Sequence, residues 1–395
     1  MSALTDTRPP TLRRFIASAL YLGIAAYGGG PAIIAMMRDL FVVQREWLHD
    51  EDLHTAISIS QLLPGAQAVS VITYLGYRLA GTWGALLGSV FFLTPCFLLM
   101  LLLSALYFAF GGVPLVHSIF TGLGAVVVAI LTNATVTMGR SALIDLWSIF
   151  IALATAILLY VFHPPFFVLI LTAACVGWLL YRQRIPPNDD AARVIPTPVG
   201  SWFWWTSGIL LAACTALLIV THTNPITRLV LEMLHVGALT FGGGFTAIAL
   251  FQHEAVEVMH WLTPRAFLDG LALGQVTPGP IFITSTFIGY AVLGPVGALC
   301  GTLAVFFPGA FAAFLAAHLP AATFARPALR AMVRGVVAAF IGVLITTTFT
   351  LAQTSLIDWR TWFVASSGVI TLLLFKRDPL WVIFGGVVLS IVLFR

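Results

Sequence analysis

Charged residues are scarce in this chain. Lys, Arg, Asp and Glu make up 9% of its 395 residues, and apolar residues make up 60%, whereas soluble domains carry roughly 25% charged residues. This composition excludes a water-soluble fold. The net charge of +4 indicates loop orientation in a membrane rather than nucleic-acid binding. A spanning helix needs about 20 apolar residues, so the chain is long enough for about a dozen.

Cysteine is also scarce, with four residues that each stand alone in an apolar stretch. No spacing matches a metal site or a redox pair. The motif His253-Glu254-x-x-Glu257-x-x-His260 lacks the His-Glu-x-x-His spacing of zinc helices, and we interpret it as a polar loop at the membrane surface. No nucleophile–base pair or nucleotide motif is present. We therefore expect no enzyme, no metal and no cofactor.

Glycine and proline, in contrast, recur in a pattern. Tyr27-Gly28-Gly29-Gly30 is repeated as Phe241-Gly242-Gly243-Gly244, and Gln61-x-x-Pro64-Gly65 is repeated as Gln275-x-x-Pro278-Gly279, both at an offset of 214. Further matches continue at an offset of 213, as far as Ile144-Asp145 with Ile357-Asp358. Paired helix breakers in a duplicated membrane domain are typical of secondary transporters.

The apolar runs predict an all-α polytopic membrane protein with two repeats of broken transmembrane helices. Residues 1–181 form the first repeat and residues 222–395 the second. Residues 182–221 form a cytoplasmic linker with one connecting transmembrane helix at 202–221. Counting six crossings in each repeat, including 13–42 and 52–80, gives about 13 crossings.

Loop charges predict the orientation of the repeats. Arg13 and Arg14 near the start place the N-terminus in the cytoplasm. An odd number of crossings before the second repeat inverts that repeat relative to the first. The loops agree with inversion, because the uncharged loop at 111–114 corresponds to a loop that carries Arg326, Arg330 and Arg334.

The breakers predict the substrate site. Interrupted backbone at membrane depth survives only where it lines a cavity or is packed in protein. A half-helix that begins after such a break presents free N–H groups and a positive dipole end. We expect four such ends to meet near the midplane with Gln61 and Gln275, which favours a small anion. Alternatively, the glycines only allow helices to cross closely. The predicted site comprises Gly28, Gly29, Gly30, Pro31, Gln61, Pro64, Gly65, Gly242, Gly243, Gly244, Gln275, Pro278, Gly279 and Pro280.

Four ionisable residues at predicted membrane depth are candidates for ion coupling or for the substrate path. They are Arg38, Glu232, His235 and Asp269. Each also has a plainer interpretation, as one partner of a local ion pair on a helix or as an interfacial charge.

The chain resembles the chromate ion transporter family of bacterial inner-membrane proteins, in its two-repeat form. The resemblance rests on Gly29-Gly30-Pro31, Gln61-Leu62-Leu63-Pro64-Gly65, Phe241-Gly242-Gly243-Gly244, Trp261-Leu262-Thr263-Pro264 and Thr277-Pro278-Gly279-Pro280. It implies a multi-pass protein of the bacterial inner membrane that exports chromate by alternating access and confers chromate resistance. The expected partners are a small inorganic oxyanion, with sulfate as the isosteric competitor, and the lipid bilayer; a homodimer is left open.

Two alternatives stay open at this point. Inverted broken helices also build channels, so the chain could be a transporter or a channel. The residues alone indicate only a small anion, so sulfate or another small anion is the alternative substrate.

Overall fold

The computed structural model describes residues 10–27, 29–111, 113–183, 223–320, 323–324 and 326–394. Gly28 and the connecting helix predicted at 202–221 lie outside these ranges. Within them the chain forms fourteen α-helices and no β-strand, as the composition predicts.

The helices fall into two sets of seven. The first set is α1 Leu12–Ala25, α2 Gly29–Arg38, α3 Asp50–Ser60, α4 Gln67–Phe110, α5 Pro114–Ala142, α6 Leu146–Phe162 and α7 Phe166–Tyr181. The second set is α8 Pro225–Leu239, α9 Gly244–Gln252, α10 Pro264–Val276, α11 Thr284–Ala316, α12 Pro327–Ser355, α13 Trp359–Leu373 and α14 Pro379–Leu393. A π-helical turn follows α2 at 39–44 and α9 at 253–258. Four helical segments among the described residues are long and apolar enough to cross a membrane, and they correspond to α4, α5, α11 and α12.

Two of these long helices reverse direction. The hydroxyls of Thr73 and Ser89 in α4 are 2.7 Å apart, although 16 residues of straight helix would separate them by about 24 Å. The reversal occurs at Gly81, whose φ of +66° is a conformation that favours glycine. In α11 the corresponding pair of hydroxyls is also 2.7 Å apart, with the reversal at Gly294. Each element is therefore a helical hairpin with a short first arm and a long second arm.

The first two segments predicted as broken crossings also double back. The ring of Phe15 in α1 lies 5.8 Å, centroid to centroid, from that of Phe41 beyond α2. Asp52 of α3 lies 3.8 Å from Arg78 of α4. A helix that continued in one direction would separate either pair by roughly 35 Å or more. The breaks are therefore the bends of two hairpins, and the interpretation of each segment as one crossing was wrong.

The two sets of helices interlock across the centre of the molecule. The hydroxyls of Thr135 in α5 and Thr348 in α12, which occupy the same position in the two repeats, are 3.4 Å apart. Gly124, earlier in α5, packs beside Ser355 at the end of α12, so these two helices run antiparallel. α12 packs on α6 and α7 of the first set, and α5 packs on α13 and α14 of the second. Each repeat therefore completes the core of the other.

The outer surface of this bundle is apolar. Large side chains such as Leu146, Phe162, Trp381 and Phe384 are more than two-thirds exposed. A soluble monomer rarely exposes contiguous apolar surface on this scale, and hydrocarbon is the solvent that suits it. The protein is a polytopic helical membrane protein.

Candidate functional site

The bends of the hairpins are held together by one hydrogen bond that occurs twice. The N–H of Gly65 donates to the carbonyl of Thr240 at 2.8 Å, and the N–H of Gly279 donates to the carbonyl of Ala26 at 2.7 Å. In each case the second bend of one repeat is bonded to the first bend of the other. This reciprocity satisfies backbone groups that would otherwise be costly at membrane depth.

One pair of bends opens into a cavity of about 640 Å³. Gly65 of one bend and Gly242 and Gly243 of the other line this cavity. Among the described residues that line it, none is acidic. Its polar side chains are Ser60, Gln61, Gln67, Ser141, Arg330 and Arg334.

Two helix N-termini lie at this cavity without a side-chain cap. α4 begins at Gln67, and α9 begins at Gly244 after Gly243, whose φ is +125°. The first N–H groups of an α-helix have no partner within the helix. Together with the positive dipole ends, such groups attract anions. The cavity therefore combines amide donors and two arginines, a set of groups that suits a small anion.

Arg334, which lines the cavity, is held by the turn between α5 and α6. Its Nη2 donates to Asp145 Oδ2 at 3.0 Å, and its Cζ lies 4.3 Å from the ring centroid of Tyr181. The Tyr181 hydroxyl donates to Asp145 Oδ1 at 2.7 Å, and the Ser148 N–H donates to the same oxygen. Partial burial opposes ionisation of Asp145, but these donors and Arg334 outweigh it and hold its pKa below the ordinary value. We call the side of the molecule that carries Asp145, Tyr181 and Arg334 the arginine face.

The contribution of this ion pair can be isolated by comparing two aspartates. Asp358 caps α13 as Asp145 caps α6, but its hydrogen bonds stay within the cap. Asparagine caps a helix about as well as aspartate, so Asp145→Asn removes the charge and keeps the cap. We expect Asp145→Asn to lower stability by about 1 kcal/mol more than Asp358→Asn, measured as thermal unfolding in detergent.

The pH dependence of this effect has a defined sign. Because the folded-state pKa of Asp145 is depressed, the stabilisation is complete above its unfolded pKa of about 3.9 and is lost as the pH falls through the folded value. The wild-type protein should then approach Asp145→Asn in stability. Equal stability of Asp145→Asn and Asp358→Asn at neutral pH would contradict the assignment.

The structure brings together only part of the predicted substrate site. Gln61, Gly65, Gly242 and Gly243 line the cavity, while Gly244 packs on Ile281. The described residues of the predicted site that are not among the lining residues are Gly29, Gly30, Pro31, Pro64, Gly244, Gln275, Pro278, Gly279 and Pro280. Residues 277–280, in the pair of bends that joins Gly279 to Ala26, are buried, whereas residues 61–64, in the pair at the cavity, are partly or fully exposed. The same motif therefore lies in two different environments.

The ionisable candidates lie outside the cavity lining. Arg38 donates from Nε to Asp50 at 2.7 Å, where both side chains are about half exposed. Asp269 accepts a hydrogen bond from the Tyr107 hydroxyl at 2.8 Å. Arg265, four residues before Asp269 and close enough to interact with its charge, donates to Thr121 at 2.6 Å.

The other two candidates form a cluster with a residue that sequence reasoning missed. His235 Nδ1 lies 3.8 Å from a carboxylate oxygen of Glu232 and 3.2 Å from one of Glu254. Glu254 was expected in a surface loop, but the structure buries it, with 5% of the residue exposed. That expectation was wrong because the hairpin folds its second arm back on α8.

Arg330, Arg334 and Gln67 also line the cavity, and sequence reasoning did not place them there. The two arginines are four residues apart, so they share one face of a helix, and this spacing was the available signal. Sequence reasoning used them only to orient the loop. Gln67 is two residues beyond Gly65, at the start of the half-helix that faces the cavity.

Comparison with known proteins gives consistent matches. The chromate transporter family profile matches residues 13–178 and 227–391. An uncharacterized transporter of Methanocaldococcus jannaschii is 29% identical over 97% of this chain and 94% of its own length. Chromate transport proteins of Cupriavidus metallidurans and Pseudomonas aeruginosa are 30% and 34% identical, over 97% and 89% of this chain and 93% and 84% of their own lengths. No solved structure matches the chain.

Proposed function

The chain belongs to the chromate transporter family, and from this premise we propose that it exports chromate from the cytoplasm across the bacterial inner membrane. The observation that supports this most is the cavity in which two arginines and two uncapped helix starts converge without an acidic lining residue among those described. Chromate is a tetrahedral divalent oxyanion, which needs several donors and positive charge. Export of this kind would confer resistance to chromate.

The cavity first admits the hydrated anion as a vestibule and then binds it. Its volume of about 640 Å³ is much larger than one oxyanion, so the ion enters hydrated. Arg330 raises the local anion concentration, whereas the charge of Arg334 is balanced by Asp145. Deeper in the cavity, the amides of Gln61 and Gln67 and the N–H groups at the starts of α4 and α9 replace water around the oxygens.

We propose that each repeat crosses the membrane four times. The crossing elements are the long arm of α4 with α5, α6 and α7, and their counterparts in the second repeat. With one crossing in 182–221, the total is about nine, and the second repeat is inverted. The antiparallel packing of α5 and α12 and the reciprocal bonds between the bends support this topology.

The arginine face is proposed to be cytoplasmic, together with the N-terminus. It carries Arg182, Arg330 and Arg334, as the positive-inside rule requires of a cytoplasmic face. The cavity then opens to the cytoplasm, and the buried bends around Ala26 and Gly279 lie toward the outside. Alternating access would exchange the environments of the two pairs of bends.

An asymmetry between the repeats favours release to the outside. The sequence positions that correspond to Arg330 and Arg334 in the first repeat are His117 and Thr121. Arg265 donates to Thr121, so the outward-facing site would carry one arginine where the cavity carries two, and it would hold the anion less tightly. A negative interior also drives a divalent anion outward by about 4.6 kcal/mol per 100 mV.

Flux in proteoliposomes tests this proposal. Vesicles loaded with chromate or sulfate should take up labelled oxyanion by counterflow, and efflux should accelerate when potassium and valinomycin make the interior negative. Counterflow with the voltage clamped at zero separates a transporter from a channel, because a channel then cannot move labelled anion into the vesicles against its gradient. Absence of oxyanion counterflow in vesicles that contain folded protein would refute the function.

A further inference from the structure

A cluster of three ionisable side chains lies outside the cavity, and we call it the triad: Glu232, His235 and Glu254. It joins the two arms of one hairpin, since Glu232 and His235 lie on α8 and Glu254 lies on the π-helical turn after α9. One ligand atom from each residue lies within 4.8 Å of the other two. Glu254 is almost fully buried, whereas the side chain of His235 is 37% exposed. The triad therefore has a buried carboxylate that an accessible imidazole contacts.

The negative charge of the two carboxylates in the triad must be balanced by a cation, which can be a proton. Two carboxylates a few ångströms apart repel each other, and burial increases the cost of leaving both ionised and uncompensated. His235 lies in hydrogen-bond contact with Glu254 and close to Glu232. A proton on the imidazole or on one carboxylate reduces this repulsion and holds the arms together.

Other charged groups nearby are already engaged or are farther along the helices. Arg228 lies one turn before Glu232 on α8. On the π-helical turn, His253 pairs with Glu257 at 2.9 Å, and His163 approaches Glu257 from the turn between α6 and α7. The face of α11 that packs on α8 contributes Gly301, Val305 and Pro308, none of which titrates. Within the described residues, the triad is therefore the buried ionisable centre of this hairpin.

The triad lies on the side of the molecule opposite the arginine face. His253, one residue before Glu254, has its ring 4.7 Å from that of Phe166 at the start of α7. α6 begins directly after Asp145, at the arginine face, and ends at Phe162, close to Phe166. The 17 residues of α6 span about 25 Å. A proton and an oxyanion would therefore enter from opposite sides.

The fold does not itself require these residues. In the first repeat the positions that correspond to Glu232, His235 and Glu254 are Ser18, Tyr21 and Leu40. The first hairpin packs on its neighbour in the same way, with Gly23 against Pro95 as Gly237 lies against Pro308, but without any carboxylate or imidazole at these places. The triad is thus an addition to the second hairpin alone.

We propose that the triad is the proton-binding site that couples proton entry to oxyanion export. This inference rests on the proposed function. The bend between α8 and α9 contributes Gly242 and Gly243 to the cavity, so a change in the distance between the arms changes the anion site. Glu254 and His235 take up a proton from the outer face, which draws the arms together and favours anion release; deprotonation toward the cytoplasm restores the loaded form.

The experiment compares two kinds of flux in the same proteoliposomes, using sulfate and chromate as probes. Oxyanion counterflow at symmetric pH reports the anion site, and oxyanion efflux driven by an imposed inward proton gradient at zero voltage reports coupling. We expect the wild type to show both. Glu254→Gln and His235→Gln should keep counterflow and lose the response to the proton gradient. The matched control is Glu257→Gln, on the same π-helical turn, which should keep both.

Each outcome separates the two proposals. If the wild type shows no counterflow, the proposed function fails. If counterflow is present but the wild type ignores the proton gradient, or if both triad variants still respond to it, the coupling inference alone is overturned. If a chelator removes the response and Zn²⁺ restores it, the triad holds a metal ion instead, which also overturns the inference. Size-exclusion profiles and counterflow show whether each variant is folded.

Discussion

Replacing Arg330 with glutamine is expected to weaken oxyanion binding roughly 10- to 100-fold, since a hydrogen bond to a charged group contributes about 1.5–3 kcal/mol. Arg330 lines the cavity one helical turn before Arg334, whose guanidinium is held by Asp145. The substitution keeps a polar, though shorter, side chain and removes the positive charge. The measurement is the concentration of chromate or sulfate that gives half-maximal counterflow.

Arg326→Gln provides the matched control for charge. Arg326 precedes the first residue of the same helix and is not among the residues that line the cavity. It carries the same charge at the same face, so a general effect of surface potential would appear in both variants. An unchanged half-maximal concentration in Arg330→Gln, or equal shifts in the two variants, would remove Arg330 from the anion site.

A second large effect is expected from Gly65→Ala, which should abolish transport. Gly65 has a φ of +91°, and a Cβ there would lie 2.8 Å from the Cα of Gly309 in α11. Strain in such a backbone conformation costs about 1–3 kcal/mol, and Gly309 has no side chain that could move aside. The bend must shift, which breaks its hydrogen bond to Thr240 and displaces the start of α4 from the cavity.

Gly385→Ala tests whether any added methyl group is harmful. Gly385 lies in α14 and would meet no atom within 4 Å, so alanine there should leave counterflow unchanged and raise helix stability by about 0.5–1 kcal/mol. Both proteins are compared by counterflow and by thermal unfolding in detergent. Normal transport by Gly65→Ala would show that the bend tolerates displacement and does not form the site.

The sequence was sufficient for the features that depend on local chemistry. Scarce charge and long apolar runs determine a helical membrane protein, because backbone in lipid must satisfy its own hydrogen bonds. The paired Gly and Pro-Gly breaks mark where helices end, because these residues leave helical geometry or lack an N–H. The duplication and the family follow from the order of those residues along the chain.

Only the tertiary structure decided what the chain does after each break. A glycine ends a helix but does not set the direction of the next one. The sequence is therefore equally compatible with segments 13–42 and 52–80 as single crossings or as hairpins. Contacts distant in sequence, such as Phe15 with Phe41 and Asp52 with Arg78, settle this.

The same limit applies to the site. Gln61 and Gly243 could be predicted as site residues from their breaks, and they share a cavity. Arg330 reaches that cavity because α12 packs on the other repeat, and Glu254 is buried because its hairpin closes on α8. The positions of these charges depend on packing between helices that are far apart in the chain. The local sequence pattern of each helix does not predict that packing.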